Sequence, residues 1–198
     1  WTLQTGHRQR DILSLSLYAF GEEAVSDRGY FSGSGQRLPD GRSGQEWVAS
    51  SLSHNLVVVD ESNQERRQAG SNLELFALAP GIEMVQASAF AAYPQCDVYT
   101  RTTVCLTMPN GRPCFVDMFR VRGGQVHQYV FHANGSVAGI PSDPHAEAVS
   151  LSPTWAKWLE NPRALNPRSP LALTWNVSPR VDLDLWVLNT RESITGII

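Results

Sequence analysis

Pro109-Asn110-Gly111 separates two runs of strand-forming residues, Asp97 to Thr107 and Cys114 to Val121. Asn-Gly readily supplies the positive φ angles of a type I′ turn, so the spacing predicts a two-residue hairpin at Asn110-Gly111. That register sets Cys114 opposite Thr107 and Cys105 opposite Val116. A Cys105–Cys114 bridge would then lie diagonally across the hairpin, which is poor disulfide geometry. The three cysteines, Cys96, Cys105 and Cys114, are expected to be mostly free, buried thiols.

The same type of signal recurs along the chain. Leu13 to Tyr18 and Val181 to Leu185 alternate apolar and polar residues, the mark of a half-buried strand. Leu56-Val57-Val58-Val59 suits a strand buried on both faces. Leu73 to Ala79 and Ile82 to Ala89 flank a turn at Pro80-Gly81. Val126 to His132 follows Gly123-Gly124, and Leu171 to Val177 completes the set. The one helix candidate, Thr154 to Glu160, is held to a turn or two by Pro153 and Pro162. The stretches 31–45 and 141–170 read as loops, either plain connectors or carriers of binding groups. The expected class is all-β: a large antiparallel β-sandwich with at most one short helix, occupying 1–198 as a single domain.

Hydrophobic residues at 42% and charged residues at 18% fit a globular core and argue against disorder. A net charge of −3 excludes the basic footprint of a nucleic-acid binder. No apolar run reaches the length of a membrane-spanning helix. The abrupt start at Trp1 and end at Ile198 are expected to be cuts through a longer protein. Asn134-Gly135-Ser136 and Asn176-Val177-Ser178 are glycosylation sequons, relevant only in a secreting eukaryote.

Three blocks stand out. The first runs from Gly6-His7-Arg8-Gln9-Arg10-Asp11 through Leu13-Ser14-Leu15 and Tyr18-Ala19-Phe20-Gly21 to Ser26-Asp27-Arg28-Gly29-Tyr30. The second is Ser53-His54-Asn55-Leu56-Val57-Val58-Val59-Asp60, with Gln64 after it. The third is Phe115 to Gly124, leading into His127-Gln128-Tyr129-Val130-Phe131-His132. In this order they resemble the heparinase II/III family of polysaccharide lyases, closely over residues 6 to 135 and loosely beyond. The resemblance implies a supersandwich-like β-domain preceded by an α/α toroid, which this chain lacks, with substrate held in the cleft between them. It implies β-elimination on a uronic-acid polysaccharide, in a periplasmic or secreted bacterial enzyme. Elimination needs a neutralised carboxylate, a base for the neighbouring proton and an acid for the leaving oxygen.

The site residues follow from that resemblance. His7 matches a catalytic His, there to orient the uronate or to carry a proton; the plainer reading is a surface His near the chain's start. Asp27 and His54 match two ligands of a structural zinc. Gln9 stands where the third, a His, is expected, and an amide is a poor zinc ligand, so less than one equivalent of zinc is expected. Without metal, His54 would be a buried His hydrogen-bonded to Asp27. Arg101, Arg120 and Arg122 are candidates for carboxylate or sulfate recognition, or else a solvated strand face. Trp47, Trp155 and Trp158 are candidates for stacking on sugar rings, while Trp175 and Trp186 are expected in the core. Asn55 and Gln64 are expected to hold nearby backbone. His127 and His132 read as core or cleft-wall residues.

Three functions compete: the C-terminal domain of a lyase, forming one wall of an acidic-polysaccharide cleft; a carbohydrate-binding sandwich without catalysis; and a structural domain bracing a toroid. The first expects the parent to be a carbon–oxygen lyase and this chain alone to be inactive.

Overall fold

The computed structural model describes residues 9–27, 29, 37, 41–66, 69–139, 147–148, 152–153, 157–159, 163–164 and 171–188. They fall into two compact units. One holds residues 1–16 and 27–132, the other 17–26 and 133–198.

The first unit contains a short helix α1 (Gly44–Val48), a 3-10 turn (Ser51–Ser53) and six strands. These are β3 (Val57–Val59), β4 (Gly70–Ala79), β5 (Ile82–Phe90), β6 (Cys96–Thr107), β7 (Pro113–Gly123) and β8 (His127–Tyr129). β4-β5-β6-β7 form an antiparallel meander, and β3 pairs antiparallel with β8. Leu56 to Val59 are all buried, as their unbroken apolar run predicts. Val57 and Val59 pack with Ala69, Ala92, Tyr93 and Tyr99, and Ile12, Phe119 and Val121 close the cluster. The core thus lies between β3 and the near half of the meander, a two-layer arrangement.

The far half of the meander carries apolar residues on both faces. The register sets Ala79, Ile82, Leu106 and Cys114 in one row and Ala77, Met84, Val104 and Val116 two rows on. Alternate rows share a face. Leu75, Ile82, Val116 and Met118 are exposed on one face, and Phe76, Leu78 and Phe115 on the other.

The second unit holds β1 (Leu17–Ala19), β2 (Glu22–Val25), β9 (Ser136–Gly139), β10 (Glu147–Ala148), β11 (Arg163–Ala164), β12 (Leu171–Ser178) and β13 (Val181–Val187). β12 sits between β13 and β9; β1 pairs β2 and β10 pairs β11, all antiparallel. Leu171, Leu173, Trp175 and Val181 are buried. Asn134 ties the unit together. Its N–H donates to Ala24 O, its amide nitrogen to Glu23 O at 2.8 Å, and its side-chain oxygen accepts Ser26 Oγ–H at 2.9 Å. The nitrogen that glycosylation would modify is therefore committed.

The class is all-β and antiparallel, with a single short helix among the described residues, as expected. None of their helices is long and apolar enough to cross a membrane. Several local expectations are corrected. The β6–β7 register is Thr107↔Pro113, Leu106↔Cys114 and Cys105↔Phe115, one residue off the two-residue turn. Met108 N–H donates to Arg112 O and Gly111 N–H to Met108 O, with Gly111 at φ 75°. This fits a three-residue loop in which Pro109 supplies the fixed φ of a type I turn and Gly111 the left-handed residue. All three cysteines are free, but none is buried: Cys96 and Cys105 are half-buried and Cys114 is exposed. Residues 13 to 16 are not a strand: Leu13 has φ 64°, and β1 begins only at Leu17. Trp175 is buried but Trp186 is 61% exposed, because its cross-strand partner is Ala172 on the outer face of β12–β13. α1 was not expected. Trp155 and most of the helix candidate at 154–160 lie outside the described residues.

Candidate functional site

The segment 9–15 runs beside the core as a strap whose backbone bonds mainly to side chains. Gln64 grips Ile12 at two points: Oε1 accepts Ile12 N–H at 2.8 Å, and Nε2 donates to Ile12 O at 3.0 Å. The same Nε2 donates to Tyr99 Oη at 3.1 Å. Ser51 Oγ–H donates to Arg10 O at 2.9 Å, and Arg10 Nη1 donates to Ala49 O at 3.1 Å. Asn55 Nδ2 donates to Leu15 O at 2.9 Å, Leu15 N–H donates to Asn55 O at 3.2 Å, and His132 N–H donates to Asn55 Oδ1 at 2.5 Å. An amide side chain can both donate and accept, so Asn55 and Gln64 replace the neighbour strand that residues 12–15 lack. This explains why an alternating sequence there is not a strand.

Arg101 is buried beneath the strap. Nη1 donates to Leu13 O and Asn55 O, at 2.6 and 2.5 Å, while Nε and Nη2 form a fork on Asp117, at 2.8 and 2.9 Å. Tyr129 Oη–H donates to Asp117 Oδ2 at 2.8 Å and accepts from Arg101 Nη2 at 3.3 Å. Burial of the hydroxyl, and then the Asp117 charge, push the Tyr129 phenol above its ordinary range, although the residue as a whole is 44% exposed. Arg101 is thus committed to backbone and Asp117. Arg120 and Arg122 lie on the opposite face of the sheet, since Arg101 shares a face with its partner Phe119. Arg122 pairs with Asp97 at 2.8 Å in the open. The three arginines do not converge.

Gln9, Asp27 and His54 do come together. His54 is fully buried, with Nδ1 3.0 Å from Asp27 Oδ2 and Nε2 3.1 Å from Val48 O. Asp27 Oδ1 accepts Gly29 N–H at 2.9 Å, and Gln9 Nε2 donates to Gly29 O at 2.6 Å. The hydrogen bond from His54, more than the Gly29 amide and the nearby His132, lowers the Asp27 pKa against the opposing effect of burial. Val48 closes α1, which Ser43 caps through Glu46 N–H. Ser43-Gly44-Gln45-Glu46 is a capping-box pattern, the signal that could have revealed the helix. Trp47, on the same helix, is half-buried and meets the His132 ring edge-on at 6.0 Å. His132 Nε2 faces Leu52 O at 2.7 Å, and His127 Nε2 faces Gly123 O at 2.7 Å. His7 lies outside the described residues.

The zinc that the resemblance implies does not fit this set. Structural zinc takes four ligands from Cys, His and carboxylates. Among the described residues no three His, Cys, Asp or Glu side chains are grouped to hold a metal. Gln9 turns its amide nitrogen to a carbonyl.

The family model for the heparinase II/III-like C-terminal domain matches residues 2–193. Two solved heparinase III structures are similar, one of them with methylated lysines. The first is 16% identical with a TM-score of 0.47 over 90% of this chain, and the methylated form is 14% identical with 0.44 over 91%. The chain spans 27% of the length of each. None of the curated proteins matches it. On the match across residues 2–193, the chain belongs to the heparinase II/III-like C-terminal family.

Proposed function

We propose that this chain is the C-terminal β-domain of a polysaccharide lyase that cleaves a uronic-acid-containing polysaccharide by β-elimination, and that it forms one wall of the substrate cleft. The observation that carries this reading is the strap. Six side chains (Arg10, Ser14, Ser51, Asn55, Gln64 and Arg101) fix residues 10–15 through hydrogen bonds. Such a fixed strap gives His7, just upstream, a rigid base from which to orient the uronate or carry a proton.

Tyr93, Tyr99 and Tyr129 are all pushed up by burial, Tyr93 to about 12, so none is a ready base near neutral pH. The reading therefore assigns base and acid to His7 and to an upstream toroid in the same parent rather than to these tyrosines. The apolar far end of the meander is a surface that such a neighbour would cover. This division of labour makes the isolated chain inactive, and the reading takes the parent to be a periplasmic or secreted enzyme.

Ultraviolet absorbance of the products from the full-length parent tests the reading. Elimination leaves an absorbing unsaturated sugar and hydrolysis does not. A panel of uronate polysaccharides, glycosaminoglycans and alginate included, would name the substrate. No absorbing product from any of them would favour a binding or bracing domain.

A further inference from the structure

We infer that Gln9, Gly29, Asp27, His54 and Val48 form a metal-independent lock, in which a chain of hydrogen bonds does the cross-linking that a structural ion would do. Val48 O can only accept, so Nε2 of His54 carries a proton. Nδ1 then faces a carboxylate oxygen at 3.0 Å, in a ring with no solvent exposure. That separation is the length of a hydrogen bond between the ring nitrogen and the carboxylate. A zinc ion there would need further ligands. The neighbouring groups are already committed: Asp27 Oδ1 to Gly29 N–H, and Gln9 Nε2 to Gly29 O.

Gln9 is the residue that decides the outcome. It is 8% exposed and belongs to the strap. As an amide it donates to the Gly29 carbonyl and brings neither an imidazole nor a carboxylate to the position. The contacts run from Gln9 to Gly29, from Gly29 to Asp27, from Asp27 to His54 and from His54 to α1. They join parts of the chain that are 20, 2, 27 and 6 residues apart in sequence. Long-range closure of this sort is what a structural metal contributes to a small domain.

The test is zinc content and thermal unfolding of the full-length protein after zinc loading and desalting. The lock predicts well under one zinc per chain, and an unfolding midpoint unmoved by zinc or by EDTA. One zinc per chain, removed by EDTA with a fall in the midpoint, would overturn it, whichever residues supplied the ligands. Two variants sharpen the result. Asp27→Asn should lower the midpoint equally with and without zinc; a fall seen only in zinc-loaded protein contradicts the lock. Gln9→His should gain about one zinc per chain and EDTA sensitivity, and with cobalt(II) a visible ligand-field spectrum. If Gln9→His takes up no metal, Gln9 is not what keeps the position metal-free and the inference fails. These readouts are independent of lyase activity.

Discussion

Gln64 holds both the amide and the carbonyl of Ile12, 52 residues away in sequence, at 2.8 and 3.0 Å. One side chain thus does for the strap what a paired strand does in a ladder. Gln64→Ala would leave the polar groups of Ile12 short of partners in a largely dry setting. The expected cost is about 3 kcal/mol, since each unsatisfied buried group costs roughly 1–3 kcal/mol. Denaturant unfolding measures it; a cost under about 0.5 kcal/mol would show that the strap is held by its other contacts.

Arg101 and Arg122 should behave oppositely. Arg101 sits in a buried fork with Asp117 and on two carbonyls, so Arg101→Ala should cost about 3–5 kcal/mol, the range for breaking a buried pair. Lysine should not rescue it, because a single ammonium cannot form the fork. Arg122→Ala should leave the unfolding midpoint unchanged, as its pair with Asp97 is solvated.

Asp60 gives an acid-sensitive staple. Its carboxylate accepts the Val126 and Gln125 amides, at 2.9 and 2.6 Å, and these, in that order of effect, lower its pKa. The folded-state value lies below the unfolded one, about 3.9. Its stabilisation is therefore fully present above that pH and is lost as pH falls through the folded value. Asp60→Asn should lower the melting temperature at neutral pH, and the difference from wild type should close in strong acid. A difference that persists there would mean the charge is not what matters.

The far end of the meander should bind an apolar fluorescent dye in this chain on its own, through Leu75, Ile82, Val116 and Met118. Val116→Lys with Met118→Lys should reduce that signal while leaving the strand content in circular dichroism. The full-length parent should show little of the signal. Equal dye binding by the parent would mean that no neighbour covers this surface.

Much of the fold was legible because burial and turn chemistry are local. Leu56 to Val59 had to be buried, and the turns at Pro80-Gly81 and Pro109-Asn110-Gly111 had to end strands. The shift in the second hairpin turned on Pro109, whose fixed φ suits the first turn position better than a strand end. The strap was read as a strand because alternation cannot distinguish a ladder partner from an amide side chain 52 residues away. The hairpin β1–β2 was missed because Phe20 adopts φ 55° beside Gly21, a turn position an aromatic residue does not advertise. At the site, the grouping of Gln9, Asp27 and His54 came from the family pattern, and Asn55 and Gln64 were rightly expected to hold backbone. Which side of a sheet an arginine takes depends on register. Arg101, Arg120 and Arg122 therefore looked like one set in sequence and lie on two faces in the structure.

The most direct measurement compares the full-length parent with its His7→Ala variant by ultraviolet absorbance, on a panel of uronate polysaccharides. The account predicts an absorbing product from the parent and a loss of about a hundredfold or more in rate for the variant, the scale of a positioned acid–base group. An unchanged rate in His7→Ala would contradict it, leaving this domain to brace or to bind rather than to share in the elimination.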